Sequence, residues 1–128
     1  MEVMVTLIIV AIVTALAMPV YNKTIDEMRK KEAKTILGTI RSAELIYKID
    51  KNEYRAATFG SDTIGDTARS DLNVDVRNND DWEYGVSGVS GTGVNARATA
   101  AARRRRGPHT DGYVNVTVSN GTIAEYPW

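Results

Sequence analysis

Residues 1–21 read MEVMVTLIIVAIVTALAMPVY, and this stretch decides the fold of the chain. Between residues 3 and 20 no side chain is charged, and the only polar side chains are the hydroxyls of Thr6 and Thr14. A helix needs about 20 predominantly apolar residues to cross a bilayer, so this run is apolar and long enough to lie in a membrane.

Two residues are unusual in such a run, an acid near its start, Glu2, and a proline near its end, Pro19. A cleaved signal peptide would start with basic residues and end in a small-residue cleavage site, whereas this segment starts with an acid and leads into a helical pattern. We therefore expect it to remain in the mature protein. Because both flanks of Pro19 are strongly helical, the proline predicts a kink in one helix rather than its end.

After Tyr21 the composition changes to a segment rich in Lys, Glu and Ala. Apolar side chains recur there at intervals of three or four residues: Ile25, Met28, Ile36, Ile40, Ala43 and Tyr47. This spacing predicts an amphipathic helix that continues the apolar run. We expect one helix from about residue 2 to about residue 52.

The remainder of the chain favours turns and strands. Turn formers dominate from Ala56 onward and predict a connecting loop. Short, partly alternating runs then predict strands at 82–89, 94–102, 113–119 and 122–126. The dipeptide Asn120-Gly121 predicts a type I′ hairpin turn between the last two strands.

The predicted fold is therefore α+β, with one long N-terminal helix packed on a small antiparallel sheet of three to four strands. Its organisation follows the composition: an apolar half-helix (1–21), an amphipathic half-helix (22–55), and a loop followed by the sheet (56–128).

Composition argues against several chemistries. The 16 basic and 16 acidic residues balance, so charge has to be considered locally. Without cysteine there is no disulfide, thiolate metal site or thiol nucleophile. The only histidine, His109, lies in a predicted turn, and no His-carboxylate-Ser grouping or glycine-rich phosphate loop is present. We expect a protein that is not an enzyme.

The N-terminal residues carry a resemblance to a known family. Glu2, the apolar run, Pro19 and Tyr21 resemble the N-terminal segment of type IV pilins and of the pseudopilins of type II secretion, with the same spacing. Residues 43–56, AELIYKIDKNEYRA, are similar to the tract that closes the long helix in many of these subunits. The resemblance covers about the first 55 residues in sequence and the remainder in architecture alone. The family's leader and its first three mature residues, including a methylated aromatic, would precede Met1.

The resemblance implies a structural subunit of an extracellular filament used for adhesion, motility or DNA uptake. The chain would be stored in the bacterial inner membrane as a single-pass protein with a periplasmic C-terminal domain. Its partners would be copies of itself, the prepilin peptidase and the assembly machinery. In a helix bundle Glu2 would neutralise the N-terminal ammonium of an adjacent subunit, while Pro19 would permit local melting of the helix and Tyr21 would complete the assembly segment.

Two alternatives stay open. The first, with the same fold, is a major pseudopilin whose short periplasmic filament serves type II secretion. The second, of another class, is a monomeric membrane-anchored binding module.

A basic run is the candidate for surface binding, with members Arg103, Arg104, Arg105 and Arg106. At a hairpin tip these side chains would form a basic track for DNA, an anionic polysaccharide or a partner cell surface. A solvated loop, or pairing with acids of a neighbouring subunit, is the competing interpretation, since seven acids lie between Asp62 and Glu83. Major pseudopilins carry a calcium site in their C-terminal region, so the resemblance implies that these acids could hold calcium, but no spacing among them matches a defined oxygen-ligand loop. We therefore expect no cofactor, with calcium as the open alternative.

Overall fold

The computed structural model describes residues 1–57, 71–74, 76, 81–106 and 112–126. The elements, in chain order, are helix α1 (Glu2–Lys51) and strands β1 (Trp82–Ser90), β2 (Arg97–Arg104), β3 (Tyr113–Thr117) and β4 (Ile123–Glu125). The chain forms two compact units, Met1–Lys31 and Glu32–Trp128. The predicted α+β, pilin-like layout is confirmed, with four strands in the sheet.

Helix α1 ends close to the predicted position. Lys48 and Lys51 lie in its last turn, where positive charge complements the partial negative charge of the unpaired carbonyls. Asn52 follows in the left-handed region at φ 65°, and its N–H donates to the carbonyl of Lys48 at 2.8 Å. Asparagine tolerates this conformation better than other side chains, so the sequence itself supplies the stop.

The sheet is an antiparallel meander in the order β1-β2-β3-β4. The register sets Tyr84 opposite Ala102 and Ala102 opposite Val114. The edge strand β1 gains a further bridge from Ala57, which exchanges two backbone hydrogen bonds with Val86 at 3.0 and 2.9 Å. This bridge ties the chain segment just after the helix to the sheet.

The core of the second unit lies between the C-terminal half of α1 and one face of the sheet. The helix contributes a stripe at intervals of three and four residues: Ala33, Leu37, Ile40 and Ala43. The sheet contributes small and β-branched side chains from its central strands, together with two large aromatic ones: Ala98, Ala100, Ala102, Val114, Val116, Trp82 and Tyr84. Alanines in β2 leave room for the helix and the aromatic rings, so small and large residues interdigitate.

Two details of the predicted sheet are wrong. Strand β2 begins at Arg97 rather than at Val94, because Val94 is 98% exposed in a single 3₁₀ turn formed by Gly93–Asn95. The turn at Asn120-Gly121 is not type I′, since that type needs positive φ at both residues and only Gly121 has it, at 75°. Residues 118–121 instead form a wider loop, closed by the N–H of Gly121 on the carbonyl of Thr117 at 2.8 Å.

Candidate functional site

The unit Met1–Lys31 exposes nearly all of its apolar side chains. Each of the following is more than half exposed: Val3, Met4, Val5, Leu7, Ile8, Ile9, Val10, Ile12, Val13, Leu16, Met18 and Val20. Among the described residues, α1 is the one helix whose length and composition suit a membrane span, and none of its apolar window is buried in protein. The segment is therefore compatible with a membrane anchor.

Glu2 lies in the first turn of α1 and is exposed. The helix starts there, with the N–H of Val5 donating to the carbonyl of Met1 at 3.3 Å. A carboxylate in this position interacts favourably with the unpaired N–H groups of the first turn, so the acid suits the helix start as well as the role expected of it in assembly.

Pro19 lies inside α1, and the helix continues through it to Tyr21 and beyond. Because proline has no N–H, the carbonyl of Ala15 lacks its usual donor, which makes this turn the weakest in the segment. The neighbouring hydroxyls of Thr14 and Thr24 are satisfied by carbonyls one turn back, at 2.8 and 2.9 Å. The kink predicted at Pro19 and the roles of Pro19 and Tyr21 in assembly stay predictions.

The structure corrects the predicted arrangement of the arginine run. Arg103 and Arg104 belong to β2, so their side chains alternate between the two faces of the sheet. Arg104 is only 4% exposed, pairs in register with Trp82, and donates from Nε to the carbonyl of Arg106 at 2.9 Å. The predicted tip of four guanidinium groups is thus wrong for Arg104, whereas Arg103, Arg105 and Arg106 are exposed.

Two of the exposed arginines, Arg103 and Arg105, form no ion pair among the described residues. The cross-strand neighbour of Arg103 is Glu83, and the backbone N–H of Arg105 donates to the carbonyl of Asp81 at 2.9 Å. Among the ion pairs of the described residues, none includes Arg103 or Arg105. Surface binding by the arginine run therefore stays a prediction, for Arg103, Arg105 and Arg106.

A buried acid that the sequence pattern did not single out is Glu44, which is completely buried in the second unit. Its Oε2 accepts a 2.8 Å hydrogen bond from the backbone N–H of Arg55. Its Oε1 receives no hydrogen bond within the described part of the chain. Burial raises the pKa of Glu44 from 4.5 to about 7, and the hydrogen bond and charge of Arg55 offset only part of that rise.

Glu44 anchors the segment that leaves the helix. Arg55, held through its N–H, also brings its Nε within 3.0 Å of an oxygen of Asp71. A signal for this buried acid exists in the sequence, because Glu44 continues the stripe of Leu37 and Ile40 at spacings of seven and four residues. A carboxylate on the apolar stripe of a helix predicts a buried, specifically bonded acid.

The acidic segment does not assemble a metal site in the described residues. Asp71, Asp81 and Glu83 are described, and no group of three or more metal-ligating side chains is found within the described ranges. The other acids between Asp62 and Asp80, together with His109, lie outside those ranges.

Comparison with family models, with curated proteins and with solved structures finds no match to this chain.

Proposed function

We propose that this chain is a structural subunit of a type IV pilus-like extracellular filament, assembled by helix bundling from a store in the bacterial inner membrane. One observation carries the proposal: the apolar half of a 50-residue helix is unburied, while the other half of the same helix is the core of a folded unit. A membrane anchor would by itself account for the exposed apolar side chains of this half-helix. The resemblance to pilins at Glu2, Pro19 and Tyr21 is the reason to propose that the anchored chain also assembles into a filament.

The apolar segment needs a cover. Each large aliphatic side chain left in water forgoes roughly 1.5–3 kcal/mol of burial free energy, and more than ten such side chains are exposed here. Lipid supplies that cover in the stored state. Identical segments of neighbouring subunits supply it in a bundle, and packing of one surface onto a different surface of the next copy produces an open helical filament.

Glu2 gives this packing a register. A carboxylate at the centre of a bilayer costs on the order of 2.5–3.5 kcal/mol on insertion scales, and less near the interface where a helix start lies. In a bundle without water the carboxylate needs a cation, and an N-terminal ammonium of an adjacent copy is the partner of matching charge. Because the other side chains of the segment are nearly uniform in chemistry, this pair would set the axial offset between subunits.

The first experiment is electron microscopy of the sheared cell-surface fraction, with mass spectrometry of the N-terminal peptide. The expected result is thin filaments made of this chain, with a methylated residue three positions before Met1. Retention in the inner membrane, with secretion substrates accumulating in the periplasm on deletion, would instead establish a pseudopilin. A detergent-solubilised monomer without filaments in either compartment would establish an anchored module.

A matched pair of variants tests the role of Glu2. Glu2→Ala removes the carboxylate inside the apolar segment, and Glu27→Ala removes an exposed carboxylate further along the same helix. We expect Glu2→Ala to reduce the amount of filament at least tenfold while the membrane-bound store persists, because an unpaired ammonium would be left in the bundle. Glu27→Ala should leave filament yield unchanged, and equal yields from both variants would contradict the proposal.

A further inference from the structure

The sheet has a second face, opposite the helix, whose side chains follow the odd-numbered positions of β2 and β3. On β2 these are Arg97, Thr99, Ala101 and Arg103, and on β3 they are Tyr113, Asn115 and Thr117. The register sets Arg103 beside Tyr113, Ala101 beside Asn115 and Thr99 beside Thr117. The face therefore has a floor of small and polar side chains between two arginines.

Two depressions lie along this face. The smaller, of about 260 Å³, is lined by Ser87, Ala101, Arg103, Tyr113 and Asn115. The larger, of about 550 Å³, lies toward the other end of the strands, where its lining includes Arg97, Thr99 and Thr117. Ser87 of the first and Thr99 of the second are cross-strand neighbours, so the two depressions adjoin. We call the two adjoining depressions the trough.

The positive charges along the trough come from Arg97 and Arg103, and the acid Glu83 lies beside Arg103. Arg97 and Arg103 are six residues apart on one strand, which corresponds to about 20 Å at 3.3 Å per residue. Both are exposed, and no ion pair among the described residues involves either of them. An occupant that satisfies both must carry anionic groups separated by a similar distance and a polar surface between them.

We propose that this trough binds a linear acidic polysaccharide, a chain of uronic acid sugars. Arg97 and Arg103 bind carboxylates of sugars near the two ends of the trough, each through the planar fork of its guanidinium group. The hydroxyls of Ser87, Thr99 and Thr117 exchange hydrogen bonds with sugar hydroxyls along the floor. The small side chain of Ala101 leaves space for a sugar ring next to Tyr113.

Nucleic acid is a poorer occupant for the same surface. Single-stranded nucleic acid is held by several backbone cations and by aromatic rings on which bases stack. Here the rings of Tyr113 and Tyr126 stack on each other with centroids 4.1 Å apart, so the inner ring faces are already covered. The trough itself is lined by hydroxyl, amide and methyl groups, which suit a hydroxyl-rich ligand.

The test uses the full chain, solubilised as a monomer in a polyoxyethylene detergent, so that binding is measured independently of filament assembly. Isothermal titration with hexagalacturonate, which is long enough for its end carboxylates to reach both arginines, should show saturable binding, and maltohexaose, of the same number of sugars without the carboxylates, should bind at least tenfold more weakly. Arg97→Gln and Arg103→Gln should each weaken binding by about tenfold, because each loses one charge-assisted contact. Lys23→Gln, which removes an exposed cation of α1, should leave it unchanged.

Two further variants separate the trough from a general charge effect. Glu83→Gln removes the acid beside Arg103 and should strengthen binding. Ser87→Ile keeps every charge but fills the smaller depression, and should abolish binding while the unfolding midpoint and circular dichroism stay those of the wild type. Equal losses from Lys23→Gln and Arg103→Gln, tighter binding of oligodeoxythymidine than of hexagalacturonate, or no saturable binding at all would each overturn the inference. None of these outcomes bears on filament assembly.

Discussion

Replacing Glu44 with glutamine should change how the stability of the globular unit depends on pH. Below about pH 4.5 the carboxyl is protonated in both the folded and unfolded chains, so the folded state keeps its full stability. As the pH rises from 4.5 toward 7, the unfolded carboxyl loses its proton while the buried one keeps it. The unfolded state then binds fewer protons, so the wild type loses stability as the pH rises, until the folded carboxyl also ionises.

The size of this loss follows from the pKa. A rise from 4.5 to about 7 corresponds to about 3 kcal/mol, at 1.36 kcal/mol per unit. Glutamine keeps a carbonyl oxygen that can accept the hydrogen bond from the N–H of Arg55, and it does not ionise. Relative to the wild type, Glu44→Gln should therefore gain about 3 kcal/mol in unfolding free energy between about pH 4 and pH 8.

Denaturant unfolding of the full chain in detergent, followed by tryptophan fluorescence, gives this difference. Trp82 is 1% exposed and reports the core directly. Taking the difference between variant and wild type removes the titration of groups that both proteins share. Glu53 is an exposed acid just after the helix. The difference in unfolding free energy between Glu53→Gln and the wild type should therefore stay constant with pH. A Glu44→Gln difference equally flat across the range would refute the argument that burial controls the ionisation of this carboxyl.

Two packing predictions follow from the same unit. A Cβ on Gly91, which has φ +71°, would lie 2.5 Å from the carbonyl oxygen of Asn95. Gly91→Ala should therefore lower the unfolding free energy by more than the roughly 1–2 kcal/mol expected for Gly88→Ala, where the left-handed backbone is the only strain. Leu37→Ala should cost about 2–5 kcal/mol by opening a cavity in the core, whereas Ile46→Ala, 69% exposed on the same helix, should change stability by less than about 0.5 kcal/mol. Denaturant unfolding at one pH measures both comparisons. Equal losses for Gly91→Ala and Gly88→Ala would contradict the close contact at Gly91, and equal losses for Leu37→Ala and Ile46→Ala would contradict the burial of Leu37.

The long helix could be predicted from sequence to within one residue of its end, since apolar periodicity and the stop at Asn52 act locally. The strand ends could not. Val94 is apolar and favours a strand, but Gly91 and Gly93 adopt positive φ and place it in a turn, exposed to water. Local propensity does not reveal which way a glycine-rich connection will bend.

The candidate sites were predictable to different degrees. Arg103 and Arg104 were recognised as a charge cluster, but the two-residue period of a strand sends neighbouring side chains to opposite faces. Only the register with Trp82 shows that Arg104 lies on the inner face. Glu44 and Arg97 went unnoticed because their importance depends on what packs against them, namely the N–H of Arg55 and the open floor of the trough.

The edges of the sheet bear on how copies of this chain could associate. In the described part of the chain, β1 is paired by Ala57 along its outer side. At the other edge β4 is only three residues long, and Glu125 forms an ion pair with Lys34 of α1. Short, charged and covered edges oppose strand-to-strand association between copies. The proposed self-association of copies through the apolar half-helix therefore does not rely on pairing between sheet edges.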